Sequence, residues 1–118
     1  MENQILQDVK KNIGINPDVE DEVFDSSIVM HINSAIAELA ELGVGSQGAF
    51  FIQENNETWG DYVGEDYAYL LALIKQYIVV YVKINFDTAT SGALSSSLQE
   101  ERNRLGFRIM TAIEQHEN

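Results

Sequence analysis

The stretch that decides the fold is DYAYLLALIKQYIVVYVKINF, residues 66–86 of the chain. Its apolar side chains recur at steps of three and four residues on one helical face, and further apolar residues cover most of the other faces. A run of about 20 apolar residues could also cross a bilayer. Lys75-Gln76 in the middle and Lys83 near the end argue against a membrane span, because a central charge costs about 3 kcal/mol. The stretch therefore predicts a central helix that packs against neighbours on several sides, with no membrane segment.

Helical spacing of apolar residues continues on both sides of this stretch, so the 118 residues predict a single all-α domain. We expect a small bundle of about four helices, with a long glycine-rich loop between the second and the third. In chain order, the predicted segments are a short N-terminal helix (1–14), a long acidic helix (16–43), a loop or hairpin (44–65), the central helix (66–86), a polar linker (87–97) and a C-terminal helix (98–116).

Capping signals set the expected ends of these helices. Asn16-Pro17 can begin the long acidic helix, because asparagine caps free backbone N–H groups and proline fits the first turn. Gly43 can end it, and Asp25-Ser26-Ser27 could divide it into two pieces. One of the serines in the 87–97 linker can cap the last helix.

The loop between the second and third helices is rich in glycine and in large aromatic residues. Five of the eight glycines lie within residues 43–65. The apolar run 49–52 could form a short strand, and Thr58-Trp59 could return as its partner in a β-hairpin. The large side chains either fold back on the core or anchor a protein interface, where tryptophan and tyrosine are enriched. The loop candidates for protein contacts are Phe50, Phe51, Ile52, Trp59 and Tyr62.

Charge is distributed unevenly along the chain. There are 19 acidic and 7 basic residues, a formal charge of −12, which does not suit a protein that neutralises phosphates. Residues 1–65 carry −11 of this charge, and residues 66–118 carry −1 and hold five of the bases. The acidic side is either an ordinary solvated face or a surface that repels nucleic acid or meets a basic partner. On the basic side of the chain, the candidates for protein contacts are Arg102, Arg104 and Arg108 of the predicted last helix.

No residue set in the sequence has the pattern of a catalytic, cofactor or metal site. There is no cysteine, and the only histidines are His31, beside a helical stripe, and His116, in a terminal segment that we expect to be a loose tail. Gly43–Gly48 spells G-x-G-x-x-G, but it follows a helix rather than a strand, so it predicts no nucleotide site. Neither Asp18–Asp25 nor Asn55–Asp66 has the ligand spacing of a calcium loop. We therefore expect no enzymatic activity, no cofactor and no metal.

The order of elements resembles the small head–tail connector proteins of long-tailed bacteriophages, also called neck adaptor or head-completion proteins. The resemblance covers nearly the whole chain and rests on pattern rather than on a catalytic signature. The matching stretches are Ile5-Leu-Gln-Asp-Val-Lys10 with Ile13-Gly-Ile15, then Ile28-Val-Met-His-Ile-Asn-Ser-Ala-Ile-Ala-Glu-Leu39, and finally Ile78-Val-Val-Tyr-Val-Lys-Ile-Asn-Phe86. The long 43–65 loop departs from the tight turn of shorter members.

This resemblance implies a structural role in the virion. Members of the family look like helical subunits that form a ring, typically twelvefold, below the portal protein. Such a ring extends the DNA channel without binding DNA specifically and presents a platform for the next neck or tail-completion protein. The implied location is the neck of the virion, and the host cytoplasm during assembly.

The sequence is compatible with two functions from different classes. The first is the phage connector. If the loop supplies contacts in such a connector, removal of residues 48–58 is expected to leave helicity intact and to impair assembly. The second is a small acidic regulator, such as a DNA mimic, that binds a basic partner as a monomer or dimer, with strong dependence on salt. An enzyme is a distant third, since no nucleophile, base or metal set is present.

Overall fold

The structure is a computed structural model that describes residues 4–15, 22–44, 50–53, 57–86 and 92–117. Within these ranges the chain forms helices and no strand, which confirms the predicted all-α class. The helices are α1 (Ile5–Asn12), α2 (Glu22–Leu42), α3 (Trp59–Val63), α4 (Leu71–Phe86) and α5 (Gly92–Glu117), and a 3₁₀ turn (Ala68–Leu70) precedes α4.

Helix α4 is the centre of the bundle, as its sequence predicts. It packs against α2 and against α5, while α1 lies across α2 and α4. Residues Ala68–Asn85 are long and apolar enough to cross a membrane by length and composition. A helix that packs against neighbours on several sides is expected to have the same composition, and α4 is such a helix. The fully buried side chains that form the common core include Ile28, Ile32, Leu39, Ile74, Ile78, Val82 and Ile109.

Helix α2 runs without interruption through Asp25-Ser26-Ser27, so the expected division of this helix is wrong. Serine is only weakly unfavourable in a helix, and tertiary packing decides most helical stability. Here Ile28 is fully buried immediately after the serines. The helix ends at Leu42, and Gly43 follows with a φ of 111°, as predicted. The predicted start at Asn16-Pro17 lies outside the described residues.

The return strand predicted at Thr58-Trp59 is also wrong, because Trp59 begins helix α3. The Thr58 hydroxyl accepts from the Asp61 backbone N–H at 3.1 Å, and the Asp61 carboxylate accepts from the Thr58 N–H at 3.0 Å. This reciprocal cap stabilises a helix start at Thr58. Residues 50–53 have no regular structure, so no hairpin forms within the described part of the loop.

The ends of the last two helices differ from the predicted ones. Helix α4 begins at Leu71, after a turn and the 3₁₀ segment, rather than at residue 66. Helix α5 begins at Gly92, so residues 92–97, predicted as linker, are helical. Serine costs only about 0.5 kcal/mol per helical position, which the docking of a long helix can offset. His116 is part of α5 and stacks on Tyr69 with ring centroids 4.0 Å apart, which corrects the expected loose tail.

Candidate functional site

A polar junction ties α1, α3 and α4 together. The Asp8 carboxylate on α1 accepts from the Trp59 indole N–H at 2.9 Å and lies 3.4 Å from the Lys75 ammonium of α4. The same ammonium sits 5.3 Å from the centre of the Trp59 ring, within the range of a cation–π contact. The Ile5 backbone N–H donates to the Glu57 carbonyl at 3.0 Å. Three separate segments are thereby fixed to one another by charged and polar groups.

A second tie joins α1 to α2 through a largely buried ion pair. The Lys10 ammonium lies 2.9 Å from the Asp25 carboxylate, and their side chains are only 3% and 23% exposed. Burying a charge is costly unless it is paired, so this lysine requires its carboxylate for the fold to form. The pair fixes how α1 lies against α2.

The loop is held to α2 by a side-chain amide. Asn33 donates from Nδ2 to the Ile52 carbonyl at 2.9 Å and accepts at Oδ1 from the Ile52 N–H at 2.8 Å. Both backbone groups of Ile52 are therefore satisfied without a strand partner. Its side chain is buried in the core.

The predicted loop candidates separate into core and surface residues. Ile52, Trp59 and Tyr62 are buried within this chain, as expected if the loop folds back on the core. Phe50 is half-buried and stacks on Tyr62 with centroids 5.1 Å apart, whereas Phe51 is 54% exposed. Burial raises the pKa of Tyr62, whose hydroxyl has no partner among the described residues. Among the predicted loop candidates, Phe51 is therefore the one whose side chain is mainly exposed.

This arrangement corrects the expected effect of removing residues 48–58. That deletion would take away the Ile52 core contact, the Glu57 carbonyl that bonds α1, and the Thr58 cap of α3. Helicity is then expected to fall along with assembly. A point change at Phe51 probes the loop surface more cleanly.

A polar cluster connects the three long helices. Tyr77 of α4 donates to the Glu38 carboxylate of α2 at 3.4 Å. Burial and the Glu38 charge raise the pKa of Tyr77. Burial, together with a hydrogen bond to Glu38, raises the pKa of Tyr81 to about 12. Arg102 of α5 is close enough for its charge to oppose both shifts.

The three predicted arginines are not brought together on one surface. Arg102 is half-buried beside the tyrosines of α4, whereas Arg104 and Arg108 are exposed on α5. Exposed apolar side chains accompany them, since Phe107 is 70% and Met110 is 41% exposed. Their role in protein contacts stays a prediction.

Two open grooves border these features. One, of about 410 Å³, lies between α1, α4 and α5, and its lining mixes acids and bases with aliphatic residues. The other, of about 500 Å³, is bordered by Glu65, Asp66, Tyr67, Tyr69, Ile113 and His116. Across the described ranges, no three histidine or acidic side chains are grouped to hold a metal.

The sequence reasoning missed the residues that organise this region. The sequence assigns no separate role to Asp8 or Asn33 and uses Lys75 only as an argument against a membrane span, yet each fixes a distant segment. Lys75 gave a usable signal, because a lysine within an apolar helix needs an anion or an aromatic ring nearby. Asn33 gave no such signal, because its partner is the backbone of Ile52.

Comparison with known protein families identifies a family to which the chain is similar over nearly its whole length. The family model described as "Phage connector protein" matches residues 5–116. No curated protein and no solved structure matches the chain significantly.

Proposed function

Because the chain belongs to the phage connector protein family, we propose that it is the head–tail connector, or adaptor, of a tailed bacteriophage. Copies of the chain form a ring below the portal protein, twelvefold by resemblance to the family. The ring extends the DNA channel and joins the capsid to the next neck or tail protein. It acts at the neck of the virion, assembles in the host cytoplasm, and carries out no enzymatic reaction.

The observation that carries this proposal is the extent of the family match. It spans residues 5–116 and so includes all five helices. The resemblance therefore concerns the whole bundle and the order of its helices, rather than one short motif.

The distribution of polar groups supports a structural role. Asp8, Asn33 and Lys75 each hold another segment of the same chain in place. Asp8 and Lys75 border the open groove between α1, α4 and α5, where both are engaged with each other and with Trp59. Rigid ties of this kind suit a subunit that must present a fixed shape to its neighbours.

The charge supports a channel through which DNA slides. With a formal charge of −12 per copy, a ring of such subunits repels phosphate. A wall that attracted phosphate would hold the DNA and slow its passage.

Co-assembly with the portal protein of the same phage tests the proposal. The chain is purified alone and with the portal, and both samples are studied by light scattering and negative-stain imaging. We expect annular particles, either alone or only on the portal. A chain that forms no ring and does not bind the portal, at low or moderate salt, would contradict the proposal.

The strong acidity favours one alternative, a small regulator or DNA mimic that binds a basic protein. Thirteen of the 19 acids lie in residues 1–65, which concentrates the negative charge. Such a regulator would remain a monomer or dimer, and its affinity would fall steeply with salt. The oligomeric state on the portal separates the two functions.

A further inference from the structure

We infer that neighbouring copies in the ring contact each other through two different helices, α5 of one copy and α2 of the next. This inference rests on the proposed ring and names the surfaces that build it. The α5 face consists of Arg104, Phe107, Met110 and Thr111. The α2 face consists of Met30, Ser34, Ala37 and Glu41.

The α5 face exposes apolar side chains that the chain itself does not cover. Phe107 is 70% exposed and Met110 is 41% exposed, three residues apart along the helix. Leu105 and Ile109 point into the core, so Phe107 projects away from α4. A phenylalanine that projects fully from a helix is typical of an interface anchor.

The α2 face offers a surface that can receive such an anchor. Met30 is 64% exposed, and the next residues on the same face, Ser34 and Ala37, are exposed and small. Small side chains allow another helix to approach closely, so that a large side chain fits between them. Met30 adapts its shape to irregular apolar neighbours, because its side chain is unbranched and flexible.

The charges of the two faces are complementary. Arg104 precedes Phe107 by three residues, and Glu41 follows Ala37 by four residues. If the two helices run antiparallel with Phe107 over Ser34 and Ala37, the guanidinium of Arg104 comes next to the carboxylate of Glu41. Both side chains are exposed, and neither has an ion-pair partner within the described ranges. The contact therefore supplies each with an opposite charge.

The position of these faces on the bundle explains why a ring results. Both α2 and α5 turn their core residues toward α4, and the two exposed faces belong to different helices with different side chains. A contact between two different faces is heterologous, and every copy that joins leaves one face of each kind free. Growth then continues and ends in a closed ring when the rotation between neighbouring copies closes, whereas a contact between identical faces would stop at a dimer.

Cross-linking of paired cysteines tests this contact directly. The chain has no cysteine, so Ser34→Cys and Met110→Cys introduce the only thiols and leave the anchor Phe107 in place. Both substitutions are at exposed positions, so we expect the fold to remain intact. Under conditions that give rings, a short bifunctional thiol reagent should join the double variant into a ladder of oligomers. Each single variant should stay uncross-linked.

A charge exchange provides the second test. Arg104→Glu and Glu41→Arg should each reduce the ring fraction at least tenfold, and the double exchange should restore it. Lys83→Glu, an exposed reversal on α4 outside both faces, is the matched control and should leave rings intact. If the double exchange restores the rings, their loss in the single variants did not come from misfolding. A folding defect in either single variant would persist in the double variant.

Three results would overturn the inference. In the first, both single charge variants form normal rings and the cysteine variant gives no ladder. Other faces then build the ring, and the proposed connector function is unaffected. In the second, Arg104→Glu forms intact rings that no longer bind the portal, which means that the α5 face contacts the portal instead of a neighbouring copy. A wild-type chain that forms no ring, alone or on the portal, overturns both the inference and the proposed function.

Discussion

Asn33 of α2 forms two hydrogen bonds with the backbone of Ile52, one to its carbonyl at 2.9 Å and one from its N–H at 2.8 Å. The two residues are 19 positions apart, and the amide takes the place of a neighbouring strand. The Ile52 side chain can therefore reach the core from a segment without regular structure. This amide therefore helps to fix the position of the loop, together with the buried Ile52 side chain and the stack of Phe50 on Tyr62.

Asn33→Ala is expected to destabilise the chain by about 2 kcal/mol, because it leaves a buried N–H and carbonyl of Ile52 without partners. Asn33→Asp should be at least as harmful, because its second oxygen faces the carbonyl of Ile52 and cannot donate. The free energy of unfolding in urea measures both effects. Ser34→Ala, at the exposed neighbouring position, is the control and should change little. Equal stability of Asn33→Ala and Ser34→Ala would show that the loop is held by other contacts.

Asp8 can be tested through the only tryptophan of the chain. Asp8→Ala removes the acceptor of the Trp59 indole and the anion beside Lys75, and should cost about 1–3 kcal/mol. Asp8→Asn keeps a side-chain oxygen for the indole and loses the charge and the exposed acceptor of Asn12 Nδ2, so it should cost less. The buried Trp59 reports unfolding by its fluorescence. If Asp8→Asn is as unstable as Asp8→Ala, the ion pair with Lys75, rather than the hydrogen bond, holds the junction.

The hydroxyl of Tyr62 is expected to oppose folding. It is buried without a partner among the described residues, which costs roughly 1–3 kcal/mol relative to a satisfied group. Tyr62→Phe removes the hydroxyl and keeps the stack on Phe50, so the variant should be as stable as the wild type or more stable. Tyr77→Phe is the matched comparison, since it loses a hydrogen bond to Glu38 and should be less stable. Both are measured by thermal and urea unfolding, and a clear loss in Tyr62→Phe would reveal a partner for its hydroxyl.

The helical bundle could be predicted from the sequence, because burial of a repeated apolar pattern decides it. The dense pattern of α4 and the stripe of α2, from Ile28 to Leu39, both correspond to buried faces. The start of α5 could not be predicted, since a serine-rich stretch is compatible with a linker or a helix and only docking selects between them.

The site was less predictable, because its contacts join residues that are far apart in sequence. Trp59 and Tyr62 could be recognised as important side chains, but core and interface use the same residue types. The position of Asp8 below the indole depends on how α1 crosses the bundle. The exposure of Phe107, by contrast, agrees with the helical spacing of Leu105 and Ile109, which places the buried stripe on the opposite side of α5.

Alkaline pH should destabilise the chain through its buried tyrosines. Burial raises the pKa of Tyr62 and Tyr77, and raises that of Tyr81 to about 12, above the ordinary value near 10. The folded state therefore binds these protons more tightly than the unfolded state. Stability from this source is fully present below pH 10, and for Tyr81 it is lost as the pH rises from about 10 toward 12.

The urea midpoint, followed from about pH 9 to about pH 11.5, should fall less steeply in Tyr81→Phe than in the wild type. The comparison between the two proteins is needed because every other titrating group contributes to both, so that its contribution cancels in the difference. The same pH dependence in Tyr81→Phe and in the wild type would contradict this prediction. It would mean that Tyr81 has the same pKa in the folded and the unfolded chain, so that neither burial nor Glu38 raises it.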